Sequence, residues 1–313
     1  MKGVKHSMTI ISKVMYDTIL NAAPLLFAVL GGIFAYKANV LNVALDGMMM
    51  LGSFVTCIAM MNTNNYLLAL LIAVAINIIL SLVFSYFGIS LKGNVIIVGL
   101  AINMLITAVT SFGLKYMSLS ELVVGAYVPE NYRMTIPLLS KIPVIGAIIS
   151  GHTLLTYLSY VLIFVMWVIM YKTKVGTHIR VVGENEEAAE TIGLKKGKLK
   201  YIAVGIGAVC CAFGGASLSM DCVGGMFVEN MTSGRGFIAI AAIYCGDGAP
   251  VRSGLFAILF GFMRSLALNL GIYISSFARV FNMLPYIIII IVLLVVSIAK
   301  NRNNMVRGSY EIK

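Results

Sequence analysis

Long apolar stretches, each close to the length of a membrane-spanning helix, follow one another along almost the whole chain. A helix that crosses a bilayer needs about 20 apolar residues, and only four charged side chains lie between Met15 and Leu114. We therefore predict an all-α fold, a polytopic transmembrane helix bundle of about nine or ten membrane segments, some of them broken. It would form a single domain over residues 1–313. The candidate spans are 17–36, 41–62, 66–90, 93–114, 153–171, 200–219, 236–246, 253–272 and 280–299.

The stretch 236–246 is too short to cross a bilayer as a straight helix. Glycines flank it at Gly234, Gly236 and Gly246. Non-helical backbone is tolerated at membrane depth only where protein encloses it or where it lines a cavity. The pattern therefore predicts a broken or re-entrant element at this point.

Basic side chains indicate on which face each loop lies. Lys and Arg collect in segment 172–200 and in the C-terminal tail 300–313, and cytoplasmic loops carry such an excess. Both segments are therefore predicted to be cytoplasmic. Alternation along the chain then puts the loop 115–152 on the extracytoplasmic face.

The N-terminal head conflicts with this alternation. It carries Lys2, Lys5 and Lys13, which favours a cytoplasmic start, whereas an odd number of crossings that ends inside begins outside. An additional crossing in a broken segment around 37–50 would resolve the conflict. We therefore expect about ten membrane segments, with both ends in the cytoplasm.

Composition agrees with this class and excludes several others. The chain is 60% hydrophobic and 11% charged, with a mean hydropathy of +0.98, whereas soluble domains carry about 25% charged residues. The net charge of +11 is explained by Lys and Arg in cytoplasmic segments. We therefore predict that the chain contacts membrane lipid and that it has no nucleic-acid partner. The five cysteines form no CxxC spacing and the three histidines no HExxH motif. We expect neither a disulfide framework nor a metal site.

Segment 172–200 differs from its surroundings, because it holds seven Lys or Arg and four Glu. Asn185 is a good helix N-cap, and the glutamates that follow it suit the first turn, where the helix dipole favours anions. Gly193 suits a left-handed C-terminal cap. A short amphipathic helix of about two turns is therefore predicted over 185–193.

The apolar face of this helix would be formed by Ala188, Ala189 and Ile192, which are spaced to lie together. The lysines are explained by topology alone, but the glutamates and the apolar face are not. We therefore favour a docking surface for a cytoplasmic protein over an inert solvated loop. The predicted docking residues are Glu186, Glu187, Ala188, Ala189, Ile192 and Gly193.

Several motifs resemble one known family. Segment RVVGENEEAAETIGLKKGKLKYIAV (180–204) is similar to the cytoplasmic loop of permease subunits of ABC importers, in the family that serves branched-chain amino acids, simple sugars and nucleosides. The nucleoside and simple-sugar branch is the most similar, through Gly-Glu-Asn and the GRGF segment, and the resemblance covers most of 17–299 in order. Asp46 departs from the pattern, since the family has Glu before this Gly. Further motifs are NVLNVALDGMMMLGSF (39–54), NVIIVGLAINML (94–105), IPVIG (142–146), GRGFIAIAAIYCGDGAP (234–250) and MLPYIIIIIVLLV (283–295).

The resemblance implies the transmembrane permease subunit of an ATP-driven importer in a plasma membrane, in a bacterium. It implies two ATPase subunits beneath the pore, one of which receives the 185–193 helix in a groove. It also implies a second permease subunit (identical or a sister) and an extracytoplasmic substrate-binding lipoprotein. The chain has no Walker A motif, since the nearest string, Gly193 to Lys198, is one residue too short. The chain is therefore predicted not to be an enzyme and to carry no catalytic residue or cofactor of its own. ATP and Mg²⁺ would bind to the partner ATPase.

Polar and aromatic residues within the apolar stretches are candidates for the translocation path. Asp46 stands out, because a carboxylate within a membrane segment marks either a pathway or a pair. The alternative is that it caps the helix beginning at Met48, with Asn42 helping the chain to turn. Asn103 could equally bond between helices, which is the commoner role. The predicted path residues are Asn42, Asp46, Phe54, Asn103, Phe237 and Tyr244.

The alternative function is an ATP-independent secondary transporter or channel for a small polar solute. Ion coupling would call for several charged residues within the spans, and this sequence has few. Segment 205–217 is rich in small residues, which favours close packing within the chain over a dimer interface. Segments 93–103 and 234–244 are faintly alike, each a Gly-led apolar run, which is a weak sign of an internal repeat.

Overall fold

The structure is a computed structural model that describes residues 2–125, 132–134, 145–273, 278–281 and 283–310. Much of the predicted outer loop 115–152 and the beginning of the IPVIG motif lie outside the described residues. The helices are α1 (Lys2–Lys37), α2 (Leu45–Thr63), α3 (Tyr66–Ser85), α4 (Val95–Tyr116), α5 (Ile145–Ile149), α6 (Leu154–Lys172), α7 (Lys174–Glu184), α8 (Glu186–Thr191), α9 (Lys196–Ala216), α10 (Arg235–Cys245), α11 (Pro250–Tyr273), α12 (Ala278–Phe281) and α13 (Leu284–Tyr310). The strands are β1 (Glu121–Val123), β2 (Arg133–Met134), β3 (His152–Thr153) and β4 (Met226–Val228).

Seven helices, α1 to α4, α6, α9 and α11, are long and apolar enough to cross a membrane by length and composition. Two shorter apolar helices, α10 and the first part of α13, complete the set within the described residues. Single turns of π-helix extend α3 over Tyr86–Ser90 and α9 over Ser217–Cys222. The predicted all-α bundle is confirmed, with the short element at 236–246 formed by α10.

The expected extra crossing around 37–50 is wrong. Residues 38–44 form a turn, and α2 begins directly after it. The turn closes tightly, because Val40 N donates to Ala35 O at 2.9 Å and Asn39 adopts a left-handed φ of 57°. Asn tolerates that conformation better than most residues, so the chain reverses without a further span.

Helices α1 and α6 run in the same direction. Tyr16 Oη donates to Gly151 O at 2.9 Å near the start of α6, and Tyr160 Oη donates to Ile19 O at 3.1 Å. At their other ends Tyr36 and Tyr171 line one cavity. The N-terminal end of α1 therefore lies on the opposite face from segment 172–200, which contradicts the expectation that both chain ends share the face of that loop.

The centre of the bundle is built from α1, α2 and α9, which are mostly buried, whereas α3, α4, α6 and α11 are mostly exposed at its periphery. Small residues make the central contacts possible. A Cβ on Gly215 would meet Met49 O and Ser53 N of α2, and a Cβ on Gly31 would meet Cys210 Cβ at 2.6 Å. The prediction that the small residues of 205–217 pack within the chain is confirmed.

Two short antiparallel ribbons lie outside the helices. β1 pairs with β4, with Leu122 opposite Phe227, and β2 pairs with β3, with Arg133 opposite Thr153. The first ribbon ties the end of α4 to the segment that leads from α9 to α10. It therefore fixes the approach of the chain to the short helix α10.

Candidate functional site

The loop between α6 and α9 folds into two short helices, α7 and α8. Asn185 ends α7 and caps α8, because its Oδ1 accepts a hydrogen bond from Ala188 N at 3.0 Å. Gly193 has a φ of 81°, in the left-handed region that closes helices. The predicted caps are confirmed, although the helix is shorter than expected and covers only Glu186–Thr191.

The predicted apolar face of α8 is wrong in one residue. Ala189 is fully buried and α8 packs against α7 and α9, whereas Ala188 and Ile192 are exposed, Ile192 by 68%. Successive residues in a helix are about 100° apart, so Ala188 and Ala189 lie on different sides of a helix this short. The outward surface of α8 and its C-cap residue consists of Glu187, Ala188, Glu190, Thr191 and Ile192.

Two of the glutamates are paired within the chain. Lys200 Nζ binds Glu186 Oε1, and Lys196 Nζ lies 3.1 Å from Glu190 Oε1. The hydrogen bond from Lys200 lowers the pKa of Glu186 below its ordinary value. The lysines at the start of α9 therefore hold α8 against the bundle, a role beyond the setting of topology.

The loop meets the membrane helices through close backbone contacts. A Cβ on Gly183 of α7 would overlap Lys37 O at the end of α1. Beside this contact is an open cavity of about 370 Å³, lined in part by Tyr36, Lys37, Arg180 and Tyr244. The loop is thus seated directly on the turn that joins α1 to α2.

Asp46 lies in the first turn of α2 and reaches α10. Its Oδ1 accepts from Gly236 N at 2.8 Å and its Oδ2 accepts from Thr232 Oγ1 at 3.1 Å. The capping alternative for Asp46 needs correction in part, because Asp46 caps α10 and not the helix to which it belongs. The alternative that Asp46 lines the translocation path stays a prediction.

Three other predicted path residues also serve contacts within the chain. Asn103 Oδ1 accepts from Gly47 N at 2.8 Å, and its Nδ2 donates to Val43 O at 2.9 Å. Asn42 is 3% exposed, and its Oδ1 accepts from Ala44 N. Phe54 is buried edge-to-face against Phe227, with ring centroids 5.1 Å apart.

Phe237 and Tyr244 are the two path candidates that lie open. They are seven positions apart on α10 and are 45% and 42% exposed. A spacing of seven residues returns to the same side of a helix. The short helix therefore presents an aromatic face outward, while its opposite side is buried.

Sequence reasoning missed a polar stripe on α4. Thr107 and Ser111 follow Asn103 at intervals of four residues, so the three side chains lie on one side of the helix. Ser111 Oγ donates to Glu229 Oε1 at 2.5 Å, in the turn before α10. The four-residue spacing of polar residues in an apolar helix was the signal that could have identified the stripe.

Comparison with known proteins gives a consistent picture. Residues 14–293 match the family described as the permease component of branched-chain amino acid transport systems. The chain is 34% identical over 304 residues to the guanosine ABC transporter permease protein NupQ of Bacillus subtilis, covering 91% of this chain and 92% of the relative. It is 29% identical to the nucleoside ABC transporter permease protein NupC of Lactococcus lactis, covering 90% of each chain. No solved structure matches it significantly.

Proposed function

The chain belongs to the family of permease components of branched-chain amino acid transport systems, and on that premise we propose that it is the transmembrane permease subunit of an ATP-driven importer for nucleosides or related simple sugars. The observation that carries the proposal is the capped helix α8, which stands outside the bundle between two spans and exposes Ala188 and Ile192. A purely structural loop has no need of such a surface.

The energy for transport is assigned to a separate ATPase subunit, which binds ATP and Mg²⁺. The outward surface of α8 would fit a groove on that subunit, with Ile192 as its apolar anchor and Glu187 at its edge. The contact of Gly183 with the end of α1 then offers a route for movement into the bundle. The mechanism is alternating access, with no covalent chemistry on this chain.

The solute would pass along the exposed side of α4 and α10, closed by a second permease subunit that is identical or a sister. Thr107 and Ser111 offer hydroxyls, and Phe237 and Tyr244 offer aromatic walls. A few such polar groups among aromatic side chains suit a neutral polar solute. An ATP-independent carrier is not favoured, because the carboxylate of Asp46 is used in capping α10.

The complex would sit in the plasma membrane of a bacterium, with the loop 172–200 and the C-terminal tail in the cytoplasm. An extracytoplasmic binding lipoprotein would dock on the opposite face, where the two β ribbons lie. The basic residues of the loop and the tail support this orientation.

Substrate class is tested by competition in vesicles that contain the whole complex. Uptake of tritiated guanosine should be inhibited by unlabelled inosine and adenosine at concentrations at which xylose and glucose have little effect. Stronger inhibition by xylose or glucose would assign the chain to simple sugars. Failure of every nucleoside and sugar to compete would overturn the proposed substrate class.

A further inference from the structure

Helix α2 begins inside the bundle, and its first N–H groups need hydrogen-bond acceptors that its own N-cap residue does not supply. The first N–H groups of a helix have no partner in their own helix, and no water is available in the membrane interior to bind them. The N-cap residue Ala44 offers no side-chain hydrogen bond. Asn103 of α4 takes that role, because it accepts from Gly47 N and donates to Val43 O.

Helix α10 begins in the same way. Its N-cap is Gly234, which has no side chain to donate or accept. Asp46 supplies the missing acceptor, binding Gly236 N at 2.8 Å and Thr232 Oγ1 at 3.1 Å. Two helices that start within the bundle are thus capped by side chains of other helices, α2 by α4 and α10 by α2.

Glycines allow the helix backbones to approach closely at these contacts. A Cβ on Gly236 would overlap the backbone of Asp46, and a Cβ on Gly47 would lie 2.8 Å from Asn103 Oδ1. A Cβ on Gly99 of α4 would lie 2.8 Å from Val43 Cβ. Segment 43–47 is therefore enclosed between α4 and α10, and it cannot shift without moving both.

The other end of the same segment leads to the cytoplasmic loop. The turn 38–44 joins it to Lys37, and Gly183 of α7 rests on the backbone of Lys37. Ala38, Val40 and Ala44 are buried in this turn. A continuous series of backbone contacts therefore runs from the loop to the two helices that carry the polar stripe and the exposed aromatic face.

We propose that Asp46 and Asn103 are positioning residues for transport, which pass a shift of the loop to α4 and α10 by capping helices in trans and do not touch the solute. The faint likeness of segments 93–103 and 234–244 then has a structural counterpart, since both pack on segment 43–47 from different helices. The inference rests on the proposed function, because it assigns these two residues to the transport cycle.

The test compares four variants in the complex with its ATPase and binding protein, with tritiated guanosine as the probe. Asp46→Ala and Asn103→Ala should lower the maximal uptake rate by about tenfold or more, because a small misplacement of a functional element can reduce a rate by that factor. KM should stay within about twofold and ATP hydrolysis should continue, since binding is untouched. Asp46→Asn should retain most uptake, because its amide oxygen still accepts from Gly236 N.

The matched control is Asn62→Ala, which removes an exposed asparagine of α2 whose amide bonds only to its own helix, at Ile58 O. It should transport like the unaltered chain. A raised KM at an unchanged maximal rate in Asp46→Ala or Asn103→Ala would make these residues solute ligands and overturn the inference. Uptake equal to that of the unaltered chain in both would overturn it too.

A second readout does not depend on solute movement. Phe237→Cys reports the exposure of α10 through its rate of labelling by a water-soluble thiol reagent, measured against the chain without this substitution. ATP should change that rate in the Asp46→Asn background and leave it unchanged in Asp46→Ala; an equal response in both overturns the inference. If the unaltered complex takes up no guanosine, the proposed substrate is wrong, while the labelling comparison still decides the role of Asp46.

Discussion

Ala188 of α8 and Ile192, its C-cap residue, are exposed apolar side chains, whereas Ala189 of the same helix is buried against the bundle. Substitutions at the two exposed residues should therefore affect docking, whereas a substitution at Ala189 should affect folding. We predict that Ala188→Arg and Ile192→Asp release the ATPase subunit in a pull-down while the chain still inserts into the membrane. Each places a charge where an apolar contact is expected, and buried unpaired charges are costly.

The matched control for docking is Lys198→Ala, which alters an exposed side chain at the start of α9, on a different side of that helix from Lys196 and Lys200. It should retain the ATPase fully. Ala189→Asp should instead lower the yield of folded chain, because it places a carboxylate at a fully buried position. Retention of the ATPase by both docking variants would contradict the role given to α8.

The pairing of Glu186 with Lys200 gives α8 a pH dependence. The folded-state pKa of Glu186 is lowered, chiefly by the hydrogen bond from Lys200. The pair therefore stabilises α8 above the ordinary pKa near 4.5, and this contribution is lost as pH falls through the lowered value.

We expect hydrogen exchange of the α8 amides, corrected for intrinsic rates, to accelerate as pH falls below about 4.5. Lys200→Met should accelerate exchange at pH 7 by about two- to fivefold, the range of a partly exposed ion pair of less than about 1 kcal/mol. It should also flatten the pH dependence. An unchanged profile in Lys200→Met would show that the pair does not hold α8.

At the scale of elements, apolar length was enough to identify most helices from the sequence. The stretches 66–90 and 153–171 correspond closely to α3 with its π-helical turn and to α6. Local patterns also identified Asn185 and Gly193, because a cap involves residues only a few positions apart.

What the sequence could not provide were the pairings between distant elements. Asp46 binds Gly236, 190 positions away, and no local pattern selects that partner. The inward position of Ala189 was missed for the same reason, since it depends on where α7 and α9 pack. The extra span around 37–50 was inferred from basic residues at the N-terminus, a statistical bias that the tight turn at 38–44 does not obey.

The contact between α2 and α9 yields a prediction on stability. A Cβ on Gly215 would lie against Met49 O and Ser53 N, whereas a Cβ on Gly205 of the same helix would meet nothing within 4 Å. Gly215→Ala should lower the apparent melting temperature in detergent, in line with an overpacking cost of about 1–3 kcal/mol. Gly205→Ala should leave it unchanged or raise it slightly, because Ala favours helix more than Gly. Equal melting temperatures for the two variants would contradict the packing described.

At the scale of the whole molecule, the direction of α1 predicts on which side of the membrane the N-terminus lies. If the loop 172–200 is cytoplasmic, the N-terminal end of α1 is extracytoplasmic despite Lys2, Lys5 and Lys13. In intact cells, a cysteine added before Met1 should react with an impermeant thiol reagent, and a fluorescent protein fused after Lys313 should fluoresce in the cytoplasm. Protection of the N-terminal cysteine until the cells are lysed would contradict this topology.

The central claim is that this chain moves solute only when another subunit hydrolyses ATP. The most direct measurement is uptake of tritiated guanosine by proteoliposomes that contain the chain, an ATPase with a Walker A motif and an extracytoplasmic binding protein. We predict uptake with ATP, none with a non-hydrolysable analogue, and no effect of ionophores that abolish proton and sodium gradients. Uptake that persists without ATP and follows an ion gradient would contradict the account.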